Sequence, residues 1–247
     1  MPAASGNSAY TEDYAKCVKL FSDDTDGKTR RNYSMCYDTK NYLARWIAYP
    51  MHSYYTSGSQ SSTTFYQDPS FTNKEQVTDT YNDYSRGHQI AKAQRTVTRM
   101  ARQQSNYYTN MTPQLQSLNG GKWNTLENKE RGTWMCSDTL YVVTGCHFDN
   151  YNTKCTNDDG KSCPVPTHYF KVMLRTKAGN TGKRVQDCSA SELICAGYWV
   201  EHGENSAVTP QLKSVAEIEQ HTGFTFFVNV PNAPKSTANS FFDVSWQ

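Results

Sequence analysis

Between Tyr84 and Glu127 the chain carries Arg86-Gly87-His88, then a stretch from Asn110 to Pro113 and Gln114, then Asn119-Gly120-Gly121 followed by Trp123 and Glu127. Few folds accommodate that order. In a strand, side chains alternate between faces, so Tyr84, Arg86 and His88 project to one side and Ser85 and Gly87 to the other. Pro113 punctuates the next stretch. Asn119 and Glu127 are eight residues apart, which at 3.6 residues per turn leaves them about 80° apart around a helix, both facing one site. The glycine pair suits a loosely wound start to that helix. The segment asks for a strand, a loop and a helix that converge.

The residue types suit attack on a phosphodiester. Histidine takes up a proton near neutral pH with an unperturbed pKa of about 6.5, so His88 is the candidate base. A hard dication such as Mg2+ prefers oxygen ligands, keeps several waters and needs only one or two protein oxygens, which Asn119 can supply. Glu127 then holds metal-bound water from outside the ligand shell. Arg86 supplies positive charge for the phosphate. Taken singly, each has an ordinary reading: a structural histidine, a turn at Pro113, a helix cap at Asn119. The conjunction is what points to chemistry.

These residues resemble the signature of the DNA/RNA non-specific endonucleases, the ββα-metal (His-Me finger) nucleases that include endonuclease G and secreted bacterial nucleases. Weaker likeness runs through Trp46 to Tyr49, Tyr141 to Gly145, Tyr169 to Met173 and Val215 to Gly223, covering roughly residues 45 to 230. The resemblance implies a metal-dependent endonuclease that cuts DNA and RNA to 5′-phosphate and 3′-hydroxyl ends, with Mg2+ as cofactor and Mn2+ as an alternative. It assigns His88 as base, Asn119 as metal ligand, Glu127 as contact to metal-bound water, Arg86 as phosphate stabiliser, and Asn110 as orienter of the histidine or the scissile group. Family members are often dimers, so a homodimer is open. Two departures stand out. Ser85 replaces the family's Asp, with Asp83 two residues earlier as possible compensation, and Thr63 and Thr64 stand where some members place a second Arg, for which Lys92 or Arg95 can substitute.

Arg86, Lys92, Arg95, Arg99 and Arg102 fall within seventeen residues that hold no acidic side chain. Arg95, Arg99 and Arg102 would form one basic stripe on a helix, able to track phosphates, with Tyr84 as a ring for stacking on bases. The whole chain balances 25 basic against 23 acidic residues, so attraction to nucleic acid must come from patches. Two other classes fit the same residues: a nucleic-acid-binding protein that has lost catalysis, and a secreted, disulfide-braced interaction domain.

Eight cysteines without a Cys-x-x-Cys pair argue for disulfides in an oxidising compartment rather than a zinc site. Roughly a hundred connectivities are open; chain proximity points to Cys17 with Cys36 and Cys188 with Cys195. The expected location is secreted, periplasmic or cell-surface after removal of a leader, and no segment approaches the ~20 apolar residues of a membrane span. With 247 residues, 36% of them hydrophobic and 13% aromatic, a mean hydropathy of -0.78 does not imply disorder.

The expected class is α+β, with a largely antiparallel sheet flanked by helices. Residues 1–40 read as an N-terminal extension, flexible over 1–10 and disulfide-tethered, and residues 41–247 as one nuclease domain. A short helix is expected with Tyr14, Cys17, Val18 and Phe21 on one face. Strands are expected at Leu43 to Met51, Leu140 to Thr144, His168 to Leu174, Leu193 to Val200 and Phe224 to Val228, with a loop from Thr56 to Thr64. Ser214 and Glu217 form a capping box for a helix that Gly223 closes. The histidines other than His88 have no ligand-like spacing and read as structural.

Overall fold

The computed structural model describes residues 2–4 and 14–246. Seven antiparallel strands form the central sheet in the order Gln211–Lys213, Leu193–Glu201, His168–Thr176, Leu140–His147, Leu43–Met51, Thr29–Asp38, Tyr14–Ser22. Leu43–Met51, Leu140–His147, His168–Thr176 and Leu193–Glu201 read as largely apolar runs because both faces are covered, unlike the hydrophobic-polar alternation of a half-exposed sheet. Ile47, Tyr49, Val142, Met173 and Tyr198 face one layer, where Leu126 of the helix Asn124–Arg131 and Trp123 just before it press down. Trp46, Val143, Phe170 and Trp199 face the other, covered by Val215 and Ile218 of the helix Val215–Thr222.

That second helix follows its local signals. Ser214 Oγ accepts from Glu217 N (3.2 Å), Glu217 Oε2 accepts from Ser214 N (2.8 Å), and Gly223 ends the helix at φ 70°, where a Cβ would be strained. The strand starts at Leu43, Leu140, His168 and Leu193 fall where expected, the last three elements running one to three residues further. The chain after Ser57 opens into the expected loop, beyond a short 3-10 turn over Ser53–Thr56.

Four expectations are corrected. Tyr14–Ser22 is a strand, not a helix: Lys19 and Phe21 turn inward while Val18 and Leu20 are 42% and 51% exposed. Apolar spacing here suited both periods, and pairing with Thr29–Asp38 decided it. That strand pair also places residues 14–38 within the main sheet instead of in a separate extension; the flexible lead expected over 1–10 lies outside the described residues except for 2–4, of which Ala3–Ala4 pairs with Phe224–Thr225. The strand expected from Phe224 to Val228 stops at Thr225, since Phe227 takes φ 51°. All eight cysteines are free thiols. Cys17 packs on one face of the sheet and Cys36 on the other. Cys188 and Cys195 share a face, but their thiols donate to Arg184 O (3.4 Å) and Pro234 O (3.1 Å).

Candidate active site

The strand Ser85–His88 pairs antiparallel with Met111–Gln114, His88 opposite Met111 and Ser85 opposite Gln114. Gly87 is required where the strands meet, because a Cβ there would lie 2.6 Å from the Gln114 side chain. Arg86 and His88 share a face, as alternation demands: both rest on Phe65, with the Arg86 guanidinium 3.8 Å from its ring centre and the His88 ring 5.7 Å away. From Gln114 the chain passes through one helical turn, Gln116–Leu118, and a π turn, Asn119–Trp123, into the helix Asn124–Arg131. The wide turn is the loosely wound start that the glycine pair called for.

This hairpin and helix close on a cavity of about 260 Å³ lined by His88, Lys92, Asn119, Asn124, Glu127 and Arg131. His88 Nε2 lies 3.1 Å from Asn106 Oδ1, and Asn106 Nδ2 is itself held by Ser62 O (3.0 Å). Burial, with Lys92 and Arg102 nearby, pushes the His88 imidazole down to about 4, so it is neutral and able to take a proton at physiological pH. Burial pushes the Glu127 carboxyl up to about 7; Glu130 adds to that rise and Lys171 opposes it. Arg131 NH1 is 3.9 Å from Glu127 Oε2. Asn119 donates its backbone N–H to Leu115 O (2.9 Å), which fixes the residue at the cavity wall.

The remaining expected residues divide. Lys92 lines the cavity, and Arg99 is exposed on the helix Arg99–Ser105. Arg95 lies outside that helix and is fully buried, so no common stripe forms. Its guanidinium donates to Asn32 Oδ1 (2.5 Å), Asn32 O (3.0 Å), Pro50 O (2.9 Å) and Gln94 O (2.7 Å) and stacks on Tyr55 at 4.3 Å. It serves core carbonyls, which rules it out as a replacement for the missing upstream Arg. Arg102 is 6% exposed and is spent on Ser62 O (3.0 Å) and Lys92 O (2.5 Å).

Asn110 is fully buried: its amide donates to Ile90 O (2.9 Å) and Ser105 O (2.7 Å) and accepts from Ile90 N (3.0 Å). It fastens the chain just after His88, while the side chain on the imidazole is Asn106. Tyr84 precedes the strand and leaves the expected face; its ring meets His202 at 6.0 Å and lines a separate cavity. Asp83 sits in the preceding turn at φ 66°, and Ser85 donates to Gln116 Oε1, so Asp83 does not take over from Ser85 along a strand. Asn106, Arg131, Asn124 and Phe65 were not anticipated. Only Arg131, one helical turn after Glu127, had a legible signal.

The sequence profile described as DNA/RNA non-specific endonuclease matches residues 14–233. Mitochondrial endonuclease G of Bos taurus is 30% identical over 62% of this chain and 55% of its own length, so the chain spans about half of that relative. A nuclease of Serratia marcescens is 25% identical over 85% of this chain and 78% of its own. Among solved structures, one described as an EndoG/EndoGI complex covers 86% of both chains at a TM-score of 0.64 and 25% identity. Its ββα-metal architecture is the one built here from hairpin and helix. By the reach of that profile and the hairpin and helix that carry its motifs, the chain belongs to the DNA/RNA non-specific endonuclease family.

Proposed function

We propose that the chain is an endonuclease that hydrolyses phosphodiester bonds in DNA and RNA without selecting the sugar, leaving 5′-phosphate and 3′-hydroxyl ends, with Mg2+ as cofactor. The observation that carries this reading is the meeting of His88, Asn119, Glu127 and Arg131 in one cavity. Its donors are an amide oxygen and a carboxylate, the hard oxygen set that a dication of this kind takes. Among the described residues no three His, Cys, Asp or Glu side chains converge on a metal position, so Asn119 would be the protein ligand, with Glu127 acting on bound water. The cation would withdraw charge from the phosphate.

His88 takes the proton of the attacking water, its neutral form favoured by burial. Arg86, held against Phe65, and Arg131, at the cavity wall, offer cations to the phosphate. Lys92 lines the same cavity and stands in for the upstream Arg. Relatives include mitochondrial as well as bacterial proteins, so location is a separate proposal.

The test is digestion of plasmid DNA and of RNA with Mg2+, Mn2+ or EDTA, with a His88→Ala control. Cleavage of both polymers, lost in EDTA and in His88→Ala, is expected. Intact substrates under every condition would overturn the reading, and binding without cleavage would select a catalytically impaired nucleic-acid-binding protein instead.

A further inference from the structure

One turn beyond Glu127, on the same helix, Glu130 is fully buried. Its Oε2 accepts from the Tyr49 hydroxyl (2.7 Å) and from Gln94 Nε2 (2.5 Å), and its Oε1 lies 2.7 Å from Lys171 Nζ. Lys171 is also fully buried, donates to Thr144 Oγ1 (3.2 Å) and lies over the Trp123 ring at 4.4 Å. Tyr49, Thr144 and Lys171 come from three adjacent strands of the central sheet. They also come from the stretches around Tyr49, Thr144 and Lys171 in which sequence showed only a general likeness.

A buried ion pair is a poor way to stabilise a core, because desolvating two charges consumes most of their attraction and a well-packed apolar pair does as well. It does fix geometry: each charge must stay against its partner. Here the pair reaches both walls of the cavity. Glu130 belongs to the helix that carries Asn124, Glu127 and Arg131. Gln94, which donates to Glu130, also accepts from Ala91 N (3.2 Å) through its Oε1 and so holds the turn that carries Lys92.

We infer that Glu130, Lys171 and Gln94 are positioning residues that clamp the two walls of the cavity at a fixed separation and set the rotation of the helix, aiming Glu127 and Arg131 at the scissile group. This rests on the endonuclease reading above. None of the three touches the substrate; they act through Glu127, Arg131 and Lys92.

The experiment compares the parent with Lys171→Met/Glu130→Leu, which removes both charges at similar volume, and with Gln94→Leu, which cuts the tie and keeps the ion pair. Circular dichroism and Tm monitor the fold, plasmid cleavage gives kcat and KM, and Mn2+ alone, titrated by electron paramagnetic resonance, reports the cation site without substrate. The double variant is expected to melt within a few degrees of the parent while kcat falls at least tenfold, KM moves less than threefold and Mn2+ half-saturation rises about fivefold. Gln94→Leu is expected to lower kcat about fivefold. A folded double variant with parental kcat and Mn2+ binding overturns the inference, and if the double variant does not fold, parental kcat in Gln94→Leu does so. A parent that cleaves nothing sinks the endonuclease reading instead.

Discussion

The molecule sets histidines in two contrasting places. At one end of the sheet, His147 and His168 are register partners that flank Asp149, each 3.3 Å from one of its oxygens, and His168 and His221 stack on Trp199 at 4.8 and 4.7 Å. That group is richer in imidazole than the cavity at His88. Yet its rings are occupied with an indole and a carboxylate. His88 bonds one other side chain, Asn106, and lines a cavity with Asn119, Glu127 and Arg131. Chemistry follows the neighbours that are left unspent, and density of titratable groups is a poor guide to it.

Replacing His88 by Ala should widen that contrast most, lowering kcat for plasmid cleavage about 10³-fold, within the range general-base removal produces, while Tm stays near the parental value. Asn119→Ala should cost about 10²-fold and weaken Mn2+ binding measured by paramagnetic resonance. A kcat for Asn119→Ala within twofold of the parent would remove it from the cation site.

Glu127→Gln separates stability from function. The folded carboxyl titrates near 7 and the unfolded one near 4.5, so folding favours its protonated form and stability is lost as pH rises through that window. In EDTA at pH 8, Glu127→Gln should therefore melt higher than the parent, by an amount on the order of 1–2 kcal/mol, while losing about tenfold or more in rate. An equal or lower Tm would show that the carboxylate is comfortably solvated. For His88 the sign is opposite. Its folded value near 4 lies below the unfolded 6.5, so its contribution to stability is present above 6.5 and lost as pH falls toward 4. Parental Tm should drop by several degrees across that range, and His88→Ala should flatten the drop.

The smallest effect belongs to the other cluster. His147→Gln with His168→Gln should change cleavage less than twofold and lower stability by about 1 kcal/mol through lost stacking and contact with Asp149. A tenfold loss of activity there would erase the distinction between the two regions.

Much of the site was legible because it lies on regular backbone. Alternation put Arg86 and His88 together; Asn119 and Glu127 line one cavity, but Gly121, at φ −100° and ψ −116°, breaks the helix between them, so the eight-residue interval on a single helix is not what aligns them. Misreadings came where a residue's partner is far along the chain. Arg95, Arg99 and Arg102 look alike in sequence, but Arg95 is drawn inward by carbonyls at Asn32 and Pro50 and Arg102 by Ser62, leaving Arg99 exposed. Likewise Asn110 carries the motif, but Asn106, which has none, holds the imidazole. Tyr84 left its expected face because Asp83 breaks the backbone alternation one residue earlier.

By itself the sequence determined the family, the α+β class, the capped helix, most central strands and His88, Lys92, Asn119 and Glu127 of the cavity, since each rests on period, turn chemistry or spacing over a few residues. Only the tertiary structure decided that residues 14–22 pair as a strand, that Cys17 and Cys36 lie on opposite faces of the sheet, and that Glu130, Lys171, Tyr49 and Gln94 meet beneath the helix Asn124–Arg131. Those outcomes depend on which surfaces press together across many tens of residues, where desolvation and unpaired polar groups set the energy and local pattern carries no record of the partner.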